Sequence, residues 1–143
     1  MSTPTIIPMM AYADGPAAMD WLAEAFGFVE SKRWLSDDGR LEHGEMESGD
    51  GVIMLATPTD AYEGPTQHRT HCAAADAWLS SPYVVDGLLV HVDDVETHFA
   101  RAKAAGAGLL SEVEDGPVGR LYRTMDLEGH RWMFLQPPAE QAS

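Results

Sequence analysis

Short apolar runs and longer amphipathic stretches follow one another in the same order in the two halves of this chain. Residues 6–13 and 87–92 are apolar runs that lead to an aspartate, a pattern typical of a strand followed by the start of a helix. Met19 and Leu22 recur at helical spacing, and Gly27 can adopt the left-handed conformation that ends a helix. The first half therefore opens as a strand followed by a helix.

The second half repeats this pattern. Val95, Phe99 and Ala102 form an apolar stripe behind an aspartate cap, and Gly106 closes the predicted helix. Three strand candidates follow each helix: residues 29–36, 41–47 and 52–57, then residues 109–113, 120–126 and 131–136. Each half therefore predicts a βαβββ module.

The two halves also match as a sequence repeat. Met54 falls on Met133 at an offset of 79 positions, and residues 39–41 and 119–121 are both Gly-Arg-Leu at an offset of 80. A single match is at the level of chance, but the shared order and nearly constant offset indicate a duplication.

A stretch rich in Pro, Gly, His and Thr separates the modules. It is long for a loop without secondary structure, so we expect a short helix around residues 73–79 or a functional role. The predicted boundaries are residues 1–58 for the first module, 59–82 for the linker, 83–137 for the second module and 138–143 for a flexible tail, within one structural domain.

Charge and composition exclude several functions. The formal net charge is −14 over 143 residues, which argues against nucleic acids and anionic membranes as partners and favours cationic ligands. Cys72 is the single cysteine, so no disulfide can form within the chain. No apolar run approaches the roughly 20 residues of a membrane helix, and the N-terminus lacks the basic region of a secretory signal. We therefore expect a cytoplasmic protein.

Two motifs in the second half resemble a known family. Residues 87–106 (GLLVHVDDVETHFARAKAAG) and 122–134 (YRTMDLEGHRWMF) are similar to the opening and the closing hairpin of modules in the vicinal-oxygen-chelate superfamily of glyoxalases, bleomycin-resistance proteins and extradiol dioxygenases. The resemblance covers nearly the whole chain except the linker. It implies an α+β fold in which two tandem βαβββ modules form a curved mixed sheet around a cleft, with helices on the outer face. Such a fold hosts many functions and does not by itself select one.

Enzymes of this superfamily generally hold a divalent metal through His, Gln or Glu side chains on the first and last strands of the modules. The corresponding positions here are Ile7, Met54, Gly87 and Met133. Ile and Gly offer no ligand, and thioethers are poor donors for zinc, nickel, magnesium or manganese. We therefore expect a glyoxalase-like branch that lacks the usual metal ligands, with no metal and no cofactor.

Polar residues on the face away from the helices are the remaining candidates. His43 and Glu45 lie two positions apart and share a strand face, His91 is expected on the equivalent face of its own strand, and Arg123 is the expected repeat partner of His43. By the same alternation Trp132 should face the helix. The predicted ligand-binding cleft comprises Trp34, His43, Glu45, Met54, His91, Arg123 and Met133.

These patterns favour a metal-free protein that binds or sequesters a small molecule, cationic or aromatic, in an apolar cleft. One alternative is an isomerase or lyase of the same superfamily that uses His43, Glu45 and His91 in acid–base chemistry or in an atypical metal site. Another is a structural or regulatory dimer without a ligand. Exposed sheet edges predict a homodimer, and pairing of the modules within a chain or between chains stays open.

Overall fold

The computed structural model describes residues 4–82 and 87–139, and the chain divides into two compact units between Gly64 and Pro65. Residues 83–86, at the predicted start of the second module, and residues 140–143 of the predicted tail lie outside the described residues. The elements are β1 (Met9–Ala11), α1 (Gly15–Phe26), β2 (Val29–Leu35), β3 (Leu41–Ser48), β4 (Gly51–Ala56), α2 (Pro65–His68), α3 (Ala73–Leu79), β5 (Gly87–His91), α4 (Val95–Ala104), β6 (Gly108–Leu109), β7 (Glu114–Gly116), β8 (Gly119–Met125) and β9 (Arg131–Gln136).

The first unit is a mixed four-stranded sheet with the order β1-β4-β3-β2, in which β1 and β4 are parallel and the other pairs are antiparallel. Helix α1 packs on one face through the buried side chains of Met19 and Leu22. Gly44 makes this close approach possible, because a Cβ there would lie 2.7 Å from the sulfur of Met19. The helix therefore occupies one face, and we call the other the face opposite α1.

Local chemistry sets the limits of α1. The carboxylate of Asp14 accepts a hydrogen bond of 3.1 Å from the Ala17 amide, which caps the helix N-terminus. Gly27 follows the last turn with φ of 76°, a conformation that costs glycine little, and its amide donates to the Ala23 carbonyl. Both ends of this helix agree with the prediction.

The second unit is also a mixed sheet, with the order β5-β9-β8-β6 and with β7 paired to β8 as well. Helix α4 packs on one face, where Tyr122 and Phe134 are buried and Trp132 is only 2% exposed. The Trp132 indole donates a hydrogen bond of 3.0 Å to the buried Asp126 carboxylate. The prediction that Trp132 faces the helix is confirmed. So are the α+β class and the two βαβββ modules.

One predicted strand is wrong in its extent. Residues 109–113 do not form a single strand, because the chain bends between β6 and β7. The Ser111 hydroxyl accepts a hydrogen bond of 2.9 Å from the Arg123 amide, while the Leu110 and Ser111 amides both donate to the Arg123 carbonyl. A side-chain bond thus replaces part of the ladder, as Ser side chains can do.

The linker contains two helices, α2 and α3. Helix α3 spans Ala73–Leu79, the position predicted for it, whereas the four-residue α2 has no counterpart in the prediction. None of the helices described in residues 4–82 and 87–139 is long and apolar enough to cross a membrane.

Candidate functional site

An exposed tryptophan marks the face opposite α1. Trp34 on β2 is 59% exposed and lies directly across the ladder from His43 on β3. The indole and imidazole ring centroids are 4.9 Å apart, and their planes are tilted by 33°. An exposed indole held against a second ring presents a flat surface on which a planar ligand can stack.

His43 also contacts Glu45, its neighbour on the same strand face. The His43 Nε2 and Glu45 Oε2 atoms are 2.7 Å apart, and the Lys32 ammonium lies 3.7 Å from the same oxygen. The hydrogen bond from His43 and, after it, the positive charge of Lys32 lower the pKa of Glu45, although partial desolvation opposes them. Glu45 is therefore held as a carboxylate.

The position of Lys32 depends on a β-bulge in β2. The register shifts between Glu30 and Lys32, so that Lys32 rather than Ser31 pairs with Glu45. Beyond the bulge, Arg33 points to the helix side, where its guanidinium donates to the Asp20 carboxylate at 2.6 Å. The extra residue thus directs Lys32 to the site face and Arg33 to the helix face.

Methionines continue the site across the sheet. Met54 on β4 pairs with Glu45 on one side and with Met9 on the other. Met54 is half-buried and Met9 is exposed. A shallow groove of about 370 Å³ runs along this part of the sheet and is lined by residues that include Met9, His43 and Met54. The site is therefore an apolar groove beside a flat aromatic ring and a paired carboxylate.

The second unit holds the other predicted residues on the face opposite α4. Met133 on β9 pairs with Leu89 on one side and with Arg123 on the other. His91 is exposed at the end of β5 and pairs with Leu135. The structure therefore groups Trp34, His43, Glu45 and Met54 in the first unit, and His91, Arg123 and Met133 in the second.

One predicted correspondence is wrong. Arg123 pairs with Met133 as Glu45 pairs with Met54, so its structural counterpart is Glu45 rather than His43. The cause is the length of the hairpin turn. The first hairpin closes between Ser48 and Gly51, whereas the second closes between Met125 and Arg131. Because the two turns differ in length, the offset between corresponding residues of the two modules is not the same before the turn as after it.

Met9, Lys32 and Arg131 lie on these faces but are not among the residues of the predicted cleft. Met9 enters through the parallel pairing of β1 with β4, and Lys32 through the bulge. The sequence carries no clear signal for either event. Strand alternation predicts that Arg131 shares a face with Met133, although the predicted cleft does not include it.

The donors on these faces do not fit a metal of the kind used by the superfamily. Met54 and Met133 stand at two of the expected ligand positions. Met54 pairs with Met9 and Glu45, and Met133 pairs with Leu89 and Arg123, so these neighbours add a single carboxylate to the two thioethers. Within residues 4–82 and 87–139, no group of three or more His, Cys, Asp and Glu side chains is arranged to hold a metal ion. These donors therefore do not support a reaction step that uses a bound metal ion.

The paired βαβββ modules and their open sheet faces match a known family. Residues 8–134 match the sequence profile of the Glyoxalase/Bleomycin resistance protein/Dioxygenase superfamily. The chain belongs to this superfamily.

Individual proteins are similar to this chain in sequence or in structure. An uncharacterized protein of Mycobacterium tuberculosis (strain H37Rv) is 28% identical over 138 residues, which cover 96% of this chain and 76% of that protein. The crystal structure of TioX from Micromonospora sp. ML1 is similar with a TM-score of 0.69 and 31% identity, over 94% of this chain and 99% of that one. TnmS3, an antibiotic binding protein from Streptomyces sp. CB03234, is similar with a TM-score of 0.61 and 20% identity, over 96% and 100% of the two chains.

Proposed function

We propose that this protein binds and sequesters a small, flat organic molecule, without a metal ion, on the sheet face opposite α1. The observation that carries the proposal is the Trp34 indole, 59% exposed and held against His43 beside the Glu45 carboxylate. A large exposed aromatic ring on the same sheet face as a half-buried methionine is typical of a binding surface, because burying it from water is favourable.

The charges around Trp34 favour a cationic or neutral aromatic ligand over an anion. Glu45 is ionised, and both of its side-chain contacts use Oε2, so that Oε1 can accept a bond from a ligand. Lys32 lies 5.9 Å from the Trp34 ring centre, in the place where a ligand cation would sit. Its side chain is half exposed and flexible, so a stacked ligand can displace it into solvent. The net charge of −14 also attracts cations to the protein.

The similarity to TnmS3 supports a sequestering role. That protein is described as antibiotic binding, and it shares the fold of this chain. Among the described residues the groove has no full set of metal donors, which favours binding over metal-dependent turnover.

Proflavine, a planar cationic dye, provides a direct test by fluorescence titration and calorimetry. Replacing Trp34 with Ala should weaken binding about tenfold or more, since the lost stacking is worth about 1.4 kcal/mol or above. Trp78 on α3 is 53% exposed and supplies the matched control, so Trp78→Ala should leave affinity unchanged. Equal affinities of the wild type and the Trp34 variant would contradict the proposal. Equal losses in both variants would contradict it as well.

A second candidate function, acid–base catalysis, is favoured by the 2.7 Å contact between His43 and Glu45. A carboxylate that orients an imidazole is a common arrangement for proton transfer. Under this alternative, His43→Gln should abolish turnover of a substrate that the protein still binds. Under the binding proposal, the same variant changes affinity and there is no turnover to lose.

A further inference from the structure

A second pocket, of about 190 Å³, lies within the second unit on the face opposite α4. Its lining includes Gly87 and Leu89 on β5, Arg123 on β8, and Arg131 and Met133 on β9. Gly87 pairs with Arg131, and since it has no side chain it leaves space beside the arginine. The pocket is therefore lined by apolar residues and two arginines, in a chain whose net charge is strongly negative.

Arg131 is unusual because it is a buried cation that contacts neutral partners. The residue is 3% exposed, and its two terminal nitrogens donate to the carbonyl oxygens of Ser81 and Leu79 at 3.0 and 2.7 Å. Its Nε atom is buried and has no hydrogen-bond partner among the described residues. Burial and, after it, the nearby positive charge of Arg69 lower the pKa of Arg131.

Among the described residues Arg131 has no counter-ion. A buried charge in this state is costly, and an anion in an adjoining pocket would reduce that cost. Arg123 adds a second positive group to the same wall. Its ion pair with Glu114 is 3.5 Å long, and the Glu114 side chain is more than half exposed. This carboxylate can turn away into solvent when another anion approaches.

We propose that the pocket formed by Gly87, Leu89, Arg123, Arg131 and Met133 binds the carboxylate of a small organic acid, with the apolar part of the acid on Leu89 and Met133. The planar fork of a guanidinium matches the two oxygens of a carboxylate. The apolar floor selects an organic acid over an inorganic anion. This site is independent of the proposed function, since all of its residues belong to the second unit.

Benzoate is a suitable probe, and benzamide is its neutral counterpart of the same shape. Titration of the full chain, followed through the backbone amide signals of Gly87 and Leu89, should show saturable binding of benzoate. Binding of benzamide should be at least tenfold weaker. Arg123→Gln should reduce the affinity for benzoate tenfold or more, because it removes a cation from the wall.

Arg120→Gln is the matched control. Arg120 lies on the same strand as Arg123, but its side chain pairs with Glu96 and Asp115. This variant removes the same charge away from the pocket and should bind benzoate as the wild type does. A second variant, Gly87→Val, keeps both arginines and fills the space beside Arg131, so its affinity for benzoate should also fall.

Three results would overturn the proposal: benzamide binding as well as benzoate, an Arg123→Gln variant with unchanged affinity, or identical shifts caused by sodium chloride at the same ionic strength. Trp34→Ala should leave benzoate binding intact. The carboxylate site and the proposed stacking site can therefore fail or succeed separately.

Discussion

The guanidinium of Arg131 donates a hydrogen bond of 2.7 Å to the carbonyl oxygen of Leu79, the last residue of α3. The two residues are separated by 52 positions in the sequence. Carbonyl groups at a helix C-terminus lack partners within the helix and carry partial negative charge, so a cation there is favourable. This contact attaches the linker helix to the second sheet.

Replacing Arg131 with Gln should therefore destabilise the protein. Loss of hydrogen bonds from a charged donor to two carbonyls should cost about 2 kcal/mol of unfolding free energy, measured by urea denaturation. Arg120→Gln removes two solvent-exposed ion pairs, with Glu96 and Asp115, and should have a much smaller effect. Equal effects of the two substitutions would show that Arg131 does not hold α3 in place.

Glutamate at the two matched methionine positions should have unequal effects. Met54→Glu places a carboxylate directly across the ladder from Glu45, and this repulsion should destabilise the protein by about 1 kcal/mol more than Met54→Gln. Met133→Glu places its carboxylate across from Arg123 and should be less harmful. The urea midpoints of these variants measure the difference. A larger loss of stability for Met133→Glu than for Met54→Glu would contradict the pairing of Met54 with Glu45 and of Met133 with Arg123.

The His43–Glu45 contact predicts a pH dependence of stability. The pKa of Glu45 is lower in the folded protein than its ordinary value of 4.5, so the folded state binds this proton less readily than the unfolded state. The resulting stabilisation is complete above the ordinary value and disappears as the pH falls through the lowered one. Glu45→Gln should flatten the acid limb of the urea-midpoint profile, whereas Glu47→Gln on the same strand should not. Parallel profiles for Glu45→Gln and the wild type would argue against this role.

The protein should be a homodimer. Strand β2 is an edge of the first sheet and exposes Val29, at 64%, and Leu35. An exposed edge of this kind favours pairing with another chain. Light scattering should report about twice the 15.6 kDa chain mass. Val29→Lys should shift the mass toward the monomer, while Val118→Lys, at a similarly exposed position, should not. A monomer that keeps its full stability on dilution contradicts this prediction.

The purified protein should contain no stoichiometric divalent metal, because the positions that the sequence predicts for the family's ligands hold Ile7, Met54, Gly87 and Met133. Elemental analysis tests this directly, with about one equivalent of nickel, zinc or iron per chain as the contrary result. Turnover of the methylglyoxal–glutathione adduct should be absent for the same reason.

The sequence by itself determined the modules and the direction of most strand side chains. Helix spacing, caps and the period of two in a strand are local properties, so Gly27, α3 and the burial of Trp132 could be predicted from short stretches. The pairing of His43 with Glu45 followed from the same period.

Only the tertiary structure decided which residues complete each face. Contacts between separate strands determine three features that a period of two cannot reveal. These are the bulge at Ser31, the parallel pairing of Met9 with Met54 and the different lengths of the hairpin turns. Strand alternation indicates the face of Arg131 but not its partners, because Leu79 and Ser81 lie about 50 residues earlier in the chain. A buried cation becomes apparent only when the backbone around it is known, because burial is a property of the packed chain.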